Sequence, residues 1–123
     1  MSQSSSERRQ HPRLDSNIPL KISSDDIDIV TETHNLSRNG IYCQVNKFIQ
    51  PMTKIKVLLL LPLKKQKKIV TKKIACEGVV VRSEAIPGKE QFHMAIYFSD
   101  IKLRDAESLT EYINTFQFEK GLK

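Results

Sequence analysis

Three features of the sequence predict a mainly β fold: six short antiparallel strands closed into a small barrel, with one C-terminal α-helix. From about residue 17 to 99, apolar residues recur at every second position in short runs separated by turn-forming residues. Beyond residue 100 the apolar spacing becomes helical. The 123 residues suit one modest core, and six strands with one apolar face each bury that face by curling into a ring.

Residues 1–13, rich in Ser, Arg and Gln, read as a flexible N-terminal arm, 14–118 as the barrel and its helix, and 119–123 as a tail. "NIPLKI" (17–22) and "IDIVTET" (27–33) flank the turn-forming "SSDD". "GIYCQV" (40–45) follows "NLSRNG", in which Asn39-Gly40 carries the signal of a type I′ hairpin turn. "KIKVLLLL" (54–61) is expected to stop at Pro62, ahead of a basic loop, "KKQKK". "TKKIACEGVVVRSE" (71–84) reads as one long strand, with Gly78 marking a bulge or bend. "IPGKE" makes the next turn, and "QFHMAIYFS" (91–99) sets Phe92, Met94, Ile96 and Phe98 on one face.

The closing segment has Asp100 as a candidate N-cap, acidic Asp105 and Glu107 early, and Lys120-Gly121 late. Leu103, Ala106, Leu109 or Thr110, Ile113 and Phe116 form its apolar stripe.

Several function classes fall away. "VLLLLPL" is far shorter than the roughly 20 residues a membrane-spanning helix needs. The polar start, "MSQSSSERRQ", lacks the pattern of a secretory signal, so a cytoplasmic protein is expected. Cys43 and Cys76 stand far apart on the apolar phase of their strands and read as small core residues. His11, His34 and His93 have no metal-ligand spacing, and no nucleophile–base set or carboxylate pair is apparent. Neither an enzyme nor a cofactor is expected. The formal charge of +6 favours an anionic partner.

The candidate site lies in two segments. In "RRQHPR", Arg9 and Arg13 are four residues apart, and Pro12 disfavours a helix before it. Extended, they stand at most about 13–14 Å apart and can grip an anion from two sides. The hairpin 17–33 runs out and returns, so Asn35 of "NLSRNG" should arrive beside Arg13. One rim then holds arginines, the Asn35 amide, the Ser37 hydroxyl and Gly40. Arginine's planar fork pairs with phosphate oxygens and with the O6/N7 edge of guanine. Asn35 and Ser37 can hydrogen-bond a base edge or phosphate, and Gly40 permits positive φ and close approach to the main chain. The set suits a guanine-containing phosphate ester; bare phosphate would call for a P-loop or helix N-terminus.

In these two segments the chain resembles the PilZ domains, bacterial receptors for cyclic di-GMP. "RRQHPR" matches their RxxxR motif and "NLSRNG" their (D/N)xSxxG motif. "EGVVVRSE", "HMAIYFSDI" and the closing helix follow in the same order, so the resemblance runs from about residue 7 to 118. Each motif alone is common; both in order, with those strands behind them, are specific. The resemblance implies a six-stranded barrel with a C-terminal helix, binding cyclic di-GMP at its rim. It implies that Arg9 and Arg13 hold guanine edges and phosphates, with Asn35, Ser37 and Gly40 contacting the ligand from the other side. Arg8, just before the motif, is similar to domains that take an intercalated pair of ligands.

The expected function is therefore a cyclic di-GMP receptor whose arginine arm orders on the ligand and whose output passes through a protein partner. A ligand-free adaptor of the same fold is an alternative. A basic small barrel for nucleic acid is another, disfavoured because aromatics are only 7% and Phe92 and Phe98 share the core face. Lysines 64, 65, 67, 68, 72 and 73 read as a solvated loop or, secondarily, as a docking patch for an acidic protein or nucleic acid.

Overall fold

Within the strand Lys54–Lys65, Ile55, Val57, Leu59, Leu61 and Leu63 are buried while Lys54, Lys56, Leu60 and Lys64 are exposed. A run that looks uniformly apolar on paper is a period-two pattern with one face turned inward. The structure, a computed structural model, describes residues 13–121, with side chains through 116. Most of the expected arm, residues 1–12, and the end of the expected tail, 122–123, lie outside the described residues.

Among the described residues, seven strands precede one helix: β1 (Arg13–Asp15), β2 (Pro19–Ser23), β3 (Asp28–Ser37), β4 (Gly40–Val45), β5 (Lys54–Lys65), β6 (Lys68–Ala85), β7 (Phe92–Asp100) and α1 (Leu103–Gly121). β1 and β2 run one after the other along the same edge of β3, with Arg13 opposite Ser37 and Pro19 opposite Glu32. They share one place in the sheet. From β2 the pairing passes through β5, β6, β7 and β4, and β4 pairs back onto β3, all antiparallel. The expected six-place ring is closed, and closure removes the free edges that an open sheet would expose.

The break between β1 and β2 is held by Thr33, which is 1% exposed. Its hydroxyl accepts from the Ile18 amide at 3.0 Å and lies 2.7 Å from the Ser16 hydroxyl. Its amide donates to the Ile18 carbonyl at 2.9 Å. A side chain here replaces ladder bonds that the irregularity removes.

Five expectations need correction, the last of them the apolar stripe of the helix. Pro62 does not end β5, which runs on to Lys65. Pairing with β2 stops at Leu59, so beyond it β5 has a neighbour on one side only and a missing N–H on the open side costs no ladder bond. "KKQKK" is not a loop but the end of a hairpin: Gln66 (φ 50°) and Lys67 (φ 76°) form its two-residue turn with the left-handed backbone of type I′. Asn39-Gly40 has no positive φ, so the turn expected there is of another kind. Asp100 pairs with Glu77 inside the sheet instead of capping the helix; the Lys102 carbonyl accepts the bond from Ala106 N, at 3.0 Å.

Gly78 does sit at a register shift, where an added Cβ would lie 2.8 Å from Ile96 Cγ2. Helix α1 buries Ala106, Leu109, Tyr112 and Ile113, whereas Leu103 is 66% exposed. The stripe is rotated from the expected one because Asp105 in the first turn faces inward, 3.6 Å from Lys72 Nζ on β6. The helix packs across β1, β3 and β5, and its Leu109, Tyr112 and Ile113 join the core.

Candidate ligand-binding face

Arg13, the described end of the first segment, meets the second segment on the outer face of the ring. Arg13, the second arginine of the pair, lies in β1, and its Nε donates to Asn35 Oδ1 on β3 at 3.1 Å. The cause is local. Thr33 pairs with Cys43 and Asn35 with Tyr42, so the β3–β4 register shifts by one residue between them. A bulge turns two consecutive side chains toward one side of the sheet, and here His34 and Asn35 both reach the outer face. Asp15, opposite Asn35, adds an exposed carboxylate beside this corner.

Ser37 and Gly40 are placed differently. Ser37 is 2% exposed. Its Oγ accepts from the amides of Asn39 and Gly40, each at 3.2 Å, and donates to the Gly40 carbonyl at 3.4 Å. The hydroxyl closes the turn from β3 to β4 and presents Arg38 and Asn39 at the surface. At Gly40 the approaching group is the protein's own main chain: a Cβ would stand 2.1 Å from the Ile96 carbonyl oxygen. Asn39 O accepts from Phe98 N at 2.8 Å on the same side. The serine and glycine of the motif therefore shape the turn and lock it onto β7.

A ring cluster that sequence reasoning did not assemble lies beside Asn35. Tyr42 stacks on His93 with centroids 5.4 Å apart and planes 14° from parallel, and His34 meets Tyr42 edge-on at 6.1 Å. The outward phase of Tyr42 and His93 is legible in each strand, but their contact depends on the β4–β7 register, in which Tyr42 faces Ala95 and Gln44 faces His93. His93 Nδ1 is buried without a partner. A depression of about 330 Å³ lined by Asn17, Glu32, His34 and Gln44, among others, borders the cluster. The face thus joins a guanidinium held by an amide to a flat aromatic surface, a combination suited to a planar heterocycle carrying phosphate.

Arg8 and Arg9 lie outside the described residues. The cysteines are buried and free. Burial pushes both thiols up to about 12, with the carboxylates of Asp105, Asp100 and Glu77 adding to the effect at Cys76. Neither serves as a nucleophile near neutral pH. Among the described residues no cluster of His, Cys, Asp and Glu could hold a metal, and no helix is long and apolar enough to cross a membrane.

The family model described as PilZ domain matches residues 7–115, a span that includes Arg8 and Arg9. Among solved structures, the inhibitor of motility of Bacillus subtilis (MotI/DgrA) is similar with a TM-score of 0.78 and 26% identity, covering 92% of this chain and 53% of that one. The present chain thus spans about half of that protein's length. The PilZ domain of YcgR from Escherichia coli, solved with c-di-GMP, shares the fold with a TM-score of 0.63 at 12% identity, covering 92% of this chain and 94% of that one. No curated protein matches the chain.

Proposed function

This chain belongs to the PilZ domain family, and on that premise we propose that it is a receptor for cyclic di-GMP whose output passes through a protein partner. PilZ domains are receptors and adaptors, not enzymes. The observation that carries the reading is the 3.1 Å bond from Arg13 to Asn35, which joins one residue of each motif at one corner of the ring. The E. coli structure similar in fold was solved with this ligand.

In the proposed complex Arg13, already oriented by Asn35, takes a guanine edge or phosphate. Arg8 and Arg9 approach from the N-terminal side, so that the ligand fixes the arm against the ring. Ordering a residue's backbone costs about 1–2 kcal/mol, which charge-assisted bonds of roughly 1.5–3 kcal/mol each offset. Ser37 and Gly40 contribute by holding the turn beneath the ligand. The buried thiols fit a reducing cytoplasm.

Calorimetry with cyclic di-GMP tests the reading. Arg9→Ala and Arg13→Ala are each expected to weaken binding tenfold or more, with amide protection at residues 5–14 appearing only with ligand. Unchanged binding after loss of both arginines overturns it.

A further inference from the structure

We propose that the β5–β6 hairpin is a surface-anchoring wedge for an anionic lipid bilayer, independent of the cyclic di-GMP site. Beyond Leu59 on β5 and before Ile74 on β6 the two strands pair only with each other. Residues 60–65 and 68–73 therefore form a two-stranded hairpin about 20 Å long at roughly 3.4 Å per residue, whose inward-facing Leu61 and Leu63 still belong to the core while its end, residues 64–71, is exposed. Its direction is fixed at the base, where Leu61 and Ile74 are fully buried and Lys72 pairs with Asp105 of the helix.

The hairpin concentrates the charge of the protein. Six of its twenty Lys and Arg lie at positions 64, 65, 67, 68, 72 and 73, and the other fourteen are matched by fourteen Asp and Glu. By count, the formal charge of +6 equals the six lysines of these ten residues, of which Lys72 is paired with Asp105. No acidic residue occurs from 60 to 76. Lys65 and Lys68 stand directly opposite each other, an arrangement that costs stability until an anion relieves it.

The apolar residues decide what kind of anion. Ile69 is 72% exposed and Val70 47%; as neighbours on a strand they point to opposite faces of the ribbon. A folded acidic partner docking on one face would leave the other apolar residue in water. A soft interface meets both, taking apolar side chains into the headgroup boundary while lysines stay at phosphate level. The segment 60–76 contains no arginine for bidentate base or phosphate reading and no aromatic for stacking. Compact ammonium groups on flexible stems suit a diffuse negative surface.

The test is sedimentation of the full chain with vesicles of phosphatidylcholine, alone or mixed with phosphatidylglycerol. Binding is expected only to the mixed vesicles and should fall steeply with salt. At about fivefold per lysine, K65Q/K67Q/K68Q weakens it roughly a hundredfold, and Ile69→Ser with Val70→Ser weakens it roughly tenfold without altering the salt dependence. Both variants keep their affinity for cyclic di-GMP, and glycerol phosphate does not displace the protein. Equal binding of the wild-type chain to neutral vesicles, or none to anionic ones, overturns the proposal whatever the variants do. So does a tighter complex with polyuridine, duplex DNA or polyglutamate at the same salt.

Discussion

Arg13 Nε donates to Asn35 Oδ1 across 3.1 Å, tying the shortest strand of the ring to the bulged end of β3. The bond spends one lone pair of the amide oxygen and fixes the plane of the Arg13 guanidinium relative to the Asn35 amide.

Asn35→Ala removes the group that aims Arg13. It should weaken cyclic di-GMP binding about tenfold, with a stability change under about 1 kcal/mol because the pair is exposed. Asn35→Asp keeps an acceptor for Arg13 and should retain binding. Calorimetry beside thermal melts separates the two effects; equal losses of affinity in both variants would dismiss the aiming role.

Asp15→Asn takes a carboxylate from beside the proposed phosphate site. At an effective dielectric near that of a protein surface, the gain in affinity should be severalfold and should shrink as salt rises. A salt titration of the affinity reads it directly.

Gly40→Ala and Gly88→Ala oppose two different causes. At Gly40 the new methyl would meet the Ile96 carbonyl, so the β4–β7 pairing must part and stability should fall by about 2 kcal/mol or more. At Gly88, with φ 79° and nothing within 4 Å, only backbone strain of about 1 kcal/mol is added. Urea denaturation ranks them.

On the helix, Leu109→Ala empties a fully buried site and should cost about 2–5 kcal/mol, while Leu103→Ala at an exposed site should stay within about 0.5 kcal/mol. A large effect at Leu103 would mean that the helix phase is wrong.

The raised thiols set an alkaline limit. Folded Cys43 and Cys76 hold their protons up to about 12, whereas in the unfolded chain they lose them near 9.0. The unfolded state binds fewer protons between those values, so this contribution is full below pH 9 and declines as pH rises toward 12. Native thiols should resist alkylation at pH 8 and react once the chain is denatured; rapid labelling of the folded protein would contradict their burial.

Alternation of apolar residues was enough to anticipate the ring, the core phase of β7 and the buried cysteines, because burying one face of a strand imposes a period of two on its side chains. The run-out and return of a single hairpin likewise brought Asn35 to Arg13. Local signals failed where a neighbour's presence changed their meaning. Pro62 reads as a stop, but its outer edge has no strand to serve. Asn39-Gly40 reads as a tight turn, but Gly40 is small because Ile96 presses on it from β7.

Long-range register set Tyr42 on His93, and the packing that turns Asp105 inward to Lys72 leaves Leu103 outward while Tyr112 is buried. Pairing in a closed sheet links residues fifty positions apart, and nothing near either residue records the match. Composition along the chain specifies which side chains seek the interior. Which outward-facing groups become neighbours is a property of how the ring closes, since one residue of slip exchanges the two faces of a strand.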